Sequence, residues 1–260
     1  MYTIDGKKLA SIREEKLKER IKRLKICPKV VSILVGNDPA SVMYTNMKQK
    51  KAKDVGIDFK PLRLPAQTTP KRVVTEIERL NKDEDIDGIM IQLPLPEKYF
   101  SKNLTPKIIQ KIDPQKDIDG LTGKGKFIQA TVKAVVTILS SEKELGKNKR
   151  TVVVGGVRGM VGVGLVNELK RLGEEVEGIS KSDPQLKNKT KKADILISAT
   201  GVKNIITAEL VKKGTVVIDV SYDVDFKDVS KFASKITPVP GGVGPMTVVC
   251  LMENIWEKYL

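Results

Sequence analysis

The 260-residue chain is 40% hydrophobic, 30% charged and only 4% aromatic, with a net charge of +15. It contains no histidine, which excludes Ser-His-Asp and Cys-His nucleophile pairs and His-ligated zinc, and leaves acid–base chemistry near neutral pH to Lys, Asp, Glu, Tyr or Cys. The basic excess is spread, +9 over residues 1–125 and +6 over 126–260, and few aromatic rings are available for base stacking, so a lysine-rich solvated surface is expected ahead of a nucleic-acid partner.

The chain opens on MYTIDGKKLA, which has no apolar signal segment, and no apolar run reaches the ~18 residues of a membrane span. Cys27 and Cys250 are far apart and form no CxxC, so a reduced, cytoplasmic protein with no membrane partner is expected. Residues 7–25 are rich in helix formers, with Leu9, Ile12, Leu17, Ile21 and Leu24 near a 3.6-residue stripe. KVVSILV at 29–35 reads as a strand. A helix follows at 39–56, with Asp38 as N-cap, Pro39 in its first turn and Gly56 past its end. IDFKPLRL is a second strand, 70–81 a second helix and IDGIMIQL (86–93) a third, buried strand.

The region 94–126, broken by proline and glycine, reads as a hinge. Beyond it, strands are expected at 151–156, 174–180, 193–200 and 214–221, with a helix through about 172 after the first. A last helix at about 246–258 follows the Gly/Pro-rich TPVPGGVGP, residues 237–245. Such alternation means mostly parallel sheets with crossover helices. The expected fold class is α/β, in two domains facing a ligand cleft.

A strand that runs into a glycine-rich turn and then a helix can bind a pyrophosphate, because glycine lets the backbone approach and the helix start offers free N–H groups. VVVGGVRGMVGVG (152–164) has that order, though Gly155, Gly156, Gly159, Gly162 and Gly164 are not a strict GxGxxG. The next strand ends in Ser180, Lys181 and Ser182, where an acid would bind the ribose of NAD; Asp183 comes only later. Hydroxyls and a cation suit a 2′-phosphate, and Arg158 is a second candidate for it, so NADP is favoured and NAD is the alternative.

In the first half, Tyr44 and Lys48 are four residues apart on one helix and share a face. Gln92 ends a buried strand before LPLP, and Asp117 and Asp119 flank Ile118 in a DIDG turn. Each also has an ordinary reading: a solvated lysine face, a polar strand end, a turn. The residues alone give a two-domain nucleotide-dependent enzyme with Lys, Tyr and Asp in its cleft.

Seven segments occur in order: VGNDPASVMYTNMKQKKAKDVGI (35–57), DGIMIQLPLP (87–96), PQKDIDGLTG (114–123), ADILISATG (193–201), VVIDV (216–220), DVDF (223–226) and ITPVPGGVGPMTVVCLMEN (236–254). Together the chain resembles the bifunctional methylenetetrahydrofolate dehydrogenase/cyclohydrolase family over essentially its whole length. The resemblance implies an N-terminal α/β folate-binding, catalytic domain (1–120) and a C-terminal Rossmann-like NAD(P)-binding domain (121–245), with 246–260 packing back on the first. It implies that Tyr44 stacks on the folate, Lys48 is the main catalytic group, Gln92 orients that lysine and Asp119 binds the pterin ring. Leu93, Pro94, Pro240, Gly241 and Gly242 join the implied folate contacts, and the loop Thr237–Thr247 lies between folate and nicotinamide. The implied cofactor contacts are Gly155, Gly156, Val157, Arg158, Gly159, Ser180, Lys181, Thr200, Gly201, Val220, Gly244 and Thr247, with no metal. A homodimer built through the cofactor domains is also implied.

The chain departs from the family in four places. Gln129-Ala130-Thr131-Val132 replaces Pro-Cys-Thr-Pro, Gly155-Gly156-Val157-Arg158 replaces a Gly-Arg-Ser turn, and Ser180-Lys181 replaces His-Ser. Gly-Ile-Asn after Ile-Asp-Val is missing, so Ser221-Tyr222 run almost directly into Asp223 and a loop near the nicotinamide is short. The expected activity is oxidation of 5,10-methylenetetrahydrofolate with NAD(P)+ and hydrolysis of the methenyl product to 10-formyltetrahydrofolate. The rivals are a dehydrogenase without the hydrolysis, and a basic nucleic-acid-binding protein.

Overall fold

The computed structural model describes residues 2–146 and 148–260. In chain order its elements are β1 (Tyr2–Thr3), α1 (Gly6–Leu24), β2 (Lys29–Val35), α2 (Pro39–Val55), β3 (Asp58–Leu64), α3 (Pro70–Lys82), β4 (Gly88–Ile91), α4 (Leu104–Ile109) and α5 (Ala130–Ser141). They continue with β5 (Arg150–Val154), α6 (Met160–Arg171), β6 (Glu175–Ile179), α7 (Leu186–Thr190), β7 (Ile195–Ser198), a 3₁₀ turn (Ala208–Leu210), β8 (Val216–Asp219), α8 (Phe226–Val229), β9 (Lys235–Ile236) and α9 (Val243–Glu257). They form two compact units. A three-stranded unit holds Ile12–Ala130 and Val248–Leu260, and a six-stranded unit holds the residues up to Ser11 and Thr131–Thr247.

The three-stranded sheet has the order β3-β2-β4 and is parallel throughout. Its centre, β2, is buried at six of seven positions, five of them apolar, because both faces are covered. Val30 faces a cluster with Leu17 and Ile21 of α1, Ala52 and Val55 of α2, and Leu251 and Ile255 of α9. Val31, Ile33 and Val35 face the other way, against Val73, Ile77 and Leu80 of α3. Burying each such side chain contributes roughly 1.5–3 kcal/mol. Residues 94–126 are not a hinge: they lie wholly in this unit, where Phe100, Ile108, Ile109 and Ile112 bury themselves on the α3 face. Proline and glycine there shape turns around short apolar anchors. The stripe expected on α1 is also narrower. Leu17 and Ile21 are buried with Ala10, whereas Ile12 and Leu24 are 47% and 44% exposed.

The six-stranded sheet has the order β1-β9-β8-β7-β5-β6, again all parallel. Val152, Val154, Leu196 and Val217 build its core on one face. The first eleven residues belong to this sheet's unit, not to the N-terminal one. The Tyr2 and Ile4 N–H groups donate to the Ser234 and Ile236 carbonyls at 2.9 and 2.8 Å, which adds a two-residue strand too short for periodicity to reveal. The unit boundary falls between Ala130 and Thr131, inside α5, rather than near 120. The last helix starts at Val243, so Gly244 and Pro245 lie in its first turn, where proline costs no hydrogen bond.

Candidate functional site

Helix α2 fixes the first group. The Asp38 carboxylate accepts the Ser41 N–H at 2.8 Å, Pro39 stands in the first turn, and Gly56 ends the helix in the left-handed region at φ 91°. The buried residues Ser41, Thr45, Ala52 and Val55 define its inward stripe, and Lys48 falls on it between Thr45 and Ala52. The lysine is therefore aimed inward by helix phase. Its Nζ donates to Gln92 Oε1 at 3.0 Å. Gln92 is buried just past β4. Its own N–H donates to the Ile33 carbonyl (2.8 Å) and its Nε2 to the Leu93 carbonyl (2.8 Å), which turns Oε1 toward the lysine. Tyr44, one turn before Lys48, is 45% exposed, a ring available for stacking.

Asp119 completes this set. Asp117 is fully buried and its Oδ2 accepts the Thr122 N–H at 2.7 Å, closing the turn that carries Asp119. Gly88 makes room: a Cβ there would stand 2.5 Å from the Ile118 side chain. Gly120, at φ 68°, brings the turn against the Gln129 backbone, where a Cβ would approach within 2.6 Å. From α9, the buried Asn254 amide donates to the Ile118 and Ile128 carbonyls, both at 2.9 Å. Burial lowers the pKa of Lys48, with Asp119 opposing the change. Burial raises that of Asp119; Lys48 opposes this and the Asp117 charge adds to it. The pair is thus biased toward a neutral amine and a neutral acid. Leu93 is half-buried and packs on the α3-side cluster, and Pro94 is exposed; the Leu93–Pro94 bond is cis.

In the six-stranded unit the glycine loop between β5 and α6 is closely packed. Gly155, at φ 92°, has no room for a Cβ, which would stand 2.5 Å from the Ala199 carbonyl oxygen; a Cβ on Gly156 would meet the Gly178 Cα at 2.7 Å. A Cβ on Gly162 would run into the Gly155 carbonyl. Helix α6 thereby starts at Gly159 with no side-chain cap on its first N–H groups, an anion-binding end. Val157 and Arg158 are exposed beside it. This cradle, which a Cβ would fill, fits the pyrophosphate of a dinucleotide.

The end of β6 carries hydroxyls, with its nearby acid already engaged. The Ser180 hydroxyl lies 3.0 Å from that of Ser182 and accepts its N–H. Asp183, the nearest acid in sequence, already accepts the Gln185 N–H at 2.8 Å and the Lys189 ammonium at 3.0 Å, and these bonds hold its pKa below the usual carboxylate range. Lys181 is exposed just past β6, and Arg158 is exposed on the β5–α6 loop.

Thr200, Gly201 and Val220 follow the ends of β7 and β8. The Thr200 N–H donates to the buried Asp223 carboxylate at 2.6 Å, and Gly201 is open and exposed. In the 237–247 loop, Gly241 and Gly242 are buried against the start of α1, and Pro240 is exposed. The Lys7 N–H donates to the Gly241 carbonyl (3.1 Å), and a Cβ on Gly6 would run into Gly242. Gly244 and Thr247 occupy the first turns of α9, where the Thr247 hydroxyl donates to the Val243 carbonyl at 3.1 Å. Among the described residues no group of three or more His, Cys, Asp or Glu is placed to hold a metal.

Comparison with known proteins bears on both units. The family profile for the tetrahydrofolate dehydrogenase/cyclohydrolase catalytic domain matches residues 4–119, and the profile for its NAD(P)-binding domain matches 129–260. The chain belongs to the tetrahydrofolate dehydrogenase/cyclohydrolase family. The bifunctional protein FolD of Lactobacillus acidophilus is 39% identical, with 97% of this chain and 95% of the relative aligned. The crystal structure of the bifunctional FolD enzyme of Campylobacter jejuni superposes with a TM-score of 0.91 at 33% identity, covering 99% of this chain and 98% of that one. The Trypanosoma brucei N5,N10-methylenetetrahydrofolate dehydrogenase-cyclohydrolase, solved with NADP and an inhibitor, has a TM-score of 0.90 at 29% identity, covering 100% and 97%. The family is one of enzymes, so the nucleic-acid reading of the charge is not favoured.

Sequence reasoning missed several residues that shape these tetrahydrofolate dehydrogenase/cyclohydrolase elements. Asn254 and Gly88 position the Asp119 turn, Gly178 lets the glycine loop approach β6, and Gly6 receives the 237–247 loop. A polar residue in the apolar run VVCLMEN was a visible signal for Asn254. The glycines act through long-range contacts and carry none.

Proposed function

We propose that this chain oxidises 5,10-methylenetetrahydrofolate with NADP+ and hydrolyses the resulting methenyl form to 10-formyltetrahydrofolate. The observation that carries the reading is Lys48, an inward-facing lysine on a core stripe whose ammonium is disfavoured by burial and whose Nζ is held 3.0 Å from Gln92 Oε1.

NADP+, when bound, takes the hydride. Loss of the hydride leaves a delocalised cation on the folate. An ammonium about 4 Å from it would cost about 4 kcal/mol at an effective dielectric near 20. A lysine biased toward the neutral amine avoids that cost. Gln92 Oε1 takes one N–H of the amine, so its lone pair can orient, and accept a proton from, the water that attacks the methenyl carbon. Asp119, biased toward its acid form, can offer both an O–H donor and an acceptor oxygen to the pterin ring. Tyr44 presents its ring to the folate. This is how a histidine-free chain can run general-base hydrolysis.

The glycine cradle supports dinucleotide binding, and Arg158 and Lys181, together with the occupied Asp183, support NADP over NAD. A homodimer is the proposed assembly, supported by the edge strand β6 and by Val157, Met160 and Leu172, which are 48%, 47% and 41% exposed. A cytoplasmic location and a supply of formyl groups for purine synthesis complete the reading; no helix among the described residues is long and apolar enough to cross a membrane. Absorbance assays of methenyl formation with NADP+ or NAD+, followed by methenyl decay without cofactor, test the activity and the cofactor together. Methenyl formation with neither cofactor overturns the reading.

A further inference from the structure

The short link after β8 is held at both ends. Asp219 Oδ1 accepts the N–H groups of Ser221 (3.1 Å) and Asp223 (2.9 Å), and the Ser221 hydroxyl donates to Asp223 Oδ1 at 3.1 Å. Asp223 is fully buried. Within this clamp Tyr222 takes a left-handed backbone, φ 70°. A turn alone would favour glycine or asparagine, which reach that region with less strain. Nor does the tyrosine ring fill the core, because it is 46% exposed.

The ring lines a cavity of about 280 Å³ with Lys203, Asn204, Phe226 and Val239. The Lys203 ammonium stands 5.4 Å from the ring centroid, a cation–π distance. Asp219 ends β8, Lys203 and Asn204 come just after β7, and Val239 follows β9, so the cavity lies past the carboxyl ends of the strands. Ligands of doubly wound sheets bind on that side. The order β6-β5-β7-β8 gives the direction of the ligand. With the 2′-phosphate end at β6 and the pyrophosphate on the β5–α6 loop, the other half of a dinucleotide extends toward β7 and β8. The cavity suits one ring-bearing half of such a ligand rather than a whole one.

We infer that Tyr222 is a cofactor-positioning residue whose ring walls the pocket for the nicotinamide half, with Lys203 and Asn204 supplying N–H donors to its carboxamide. The assignment rests on the dinucleotide reading above. The short link that follows Asp219 is then what places an aromatic wall there.

The test uses the full chain with Tyr222→Asn and Tyr222→Phe. The quantity read is the ratio of dehydrogenase kcat/KM for NADP+ to methenyl-hydrolysis kcat/KM, since hydrolysis needs no hydride acceptor. Tyr222→Asn relieves the backbone and removes the ring; the ratio should fall about tenfold or more while Tm stays at or above that of the parent chain. Tyr222→Phe keeps the ring and should hold the ratio within about twofold. A ratio preserved in Tyr222→Asn, hydrolysis that falls in step with the dehydrogenase, or a lowered Tm overturns the assignment. Failure of the parent chain to form the methenyl product with either nicotinamide cofactor would overturn the proposed function instead, and would show before any variant was compared.

Discussion

Gln92→Glu isolates the charge state of Lys48. The substitution is nearly isosteric and sets a carboxylate oxygen where Gln92 Oε1 now stands, 3.0 Å from the lysine Nζ. Two unit charges at that distance attract by about 5 kcal/mol at an effective dielectric near 20, equivalent to about 4 pKa units. Lys48 is part-buried, so water screens part of this attraction, and the remainder raises the lysine pKa. Burial now lowers the lysine pKa; the new carboxylate opposes that and keeps the ammonium charged through neutral pH. Methenyl hydrolysis at pH 7 should then fall about tenfold or more, and the acid limb of its pH–rate profile should move to higher pH. The assay is the decay of methenyl absorbance in a series of buffers without cofactor. An unmoved limb with a parent-like rate would refute the neutral-amine argument.

Four further outcomes follow from the same geometry. Because the Lys48 pKa is lowered, the unfolded chain binds that proton more tightly, and stability contributed at this site rises as pH climbs from the lowered value to the ordinary 10.5; Lys48→Met should raise Tm by about 2 °C near pH 7, with the gain shrinking toward pH 10.5 in thermal melts. Gly162→Ala drives a Cβ into the Gly155 carbonyl, so NADP+ affinity by calorimetry should drop about tenfold or more, and unaltered affinity would count against the cradle. Lys181→Asp places an acid at the end of β6 and should shift the NADP+/NAD+ preference toward NAD+ by about tenfold in steady-state kinetics. Asn254→Ala leaves the Ile118 and Ile128 carbonyls without this donor and should cost about 1–3 kcal/mol in denaturant melts.

The readable parts of the sequence were those set by local rules. Asp38, Pro39 and Gly56 delimit α2 because caps act within a few residues, and KVVSILV coincides with β2 because burial on both faces leaves apolar residues on both, broken only by Ser32. The Tyr44–Lys48 spacing was visible, but in a segment so rich in lysine its inward phase was not; that required knowing that Ser41, Thr45, Ala52 and Val55 form the buried stripe. The parts that were missed depend on distant partners. β1 exists only because residues 234–236 offer carbonyls to it, and Ile108 and Ile109 are core only because α3 covers them. Proline and glycine in 94–126 look the same in a hinge and in a packed, turn-rich segment. Gly6, Gly88 and Gly178 matter for what their missing Cβ would touch: Gly242 for Gly6, Ile118 for Gly88 and Gly156 for Gly178, all beyond any window of sequence periodicity.

In the proposed function one tuned lysine, Lys48, carries hydrolysis in a chain without histidine. The direct measurement is methenyl decay by the purified full chain and by Lys48→Met, with methenyl formation from NADP+ followed in parallel. The parent chain should catalyse both steps, and Lys48→Met should fold and bind NADP+ yet leave hydrolysis at the uncatalysed rate. Hydrolysis by folded Lys48→Met at the parent rate would contradict the account.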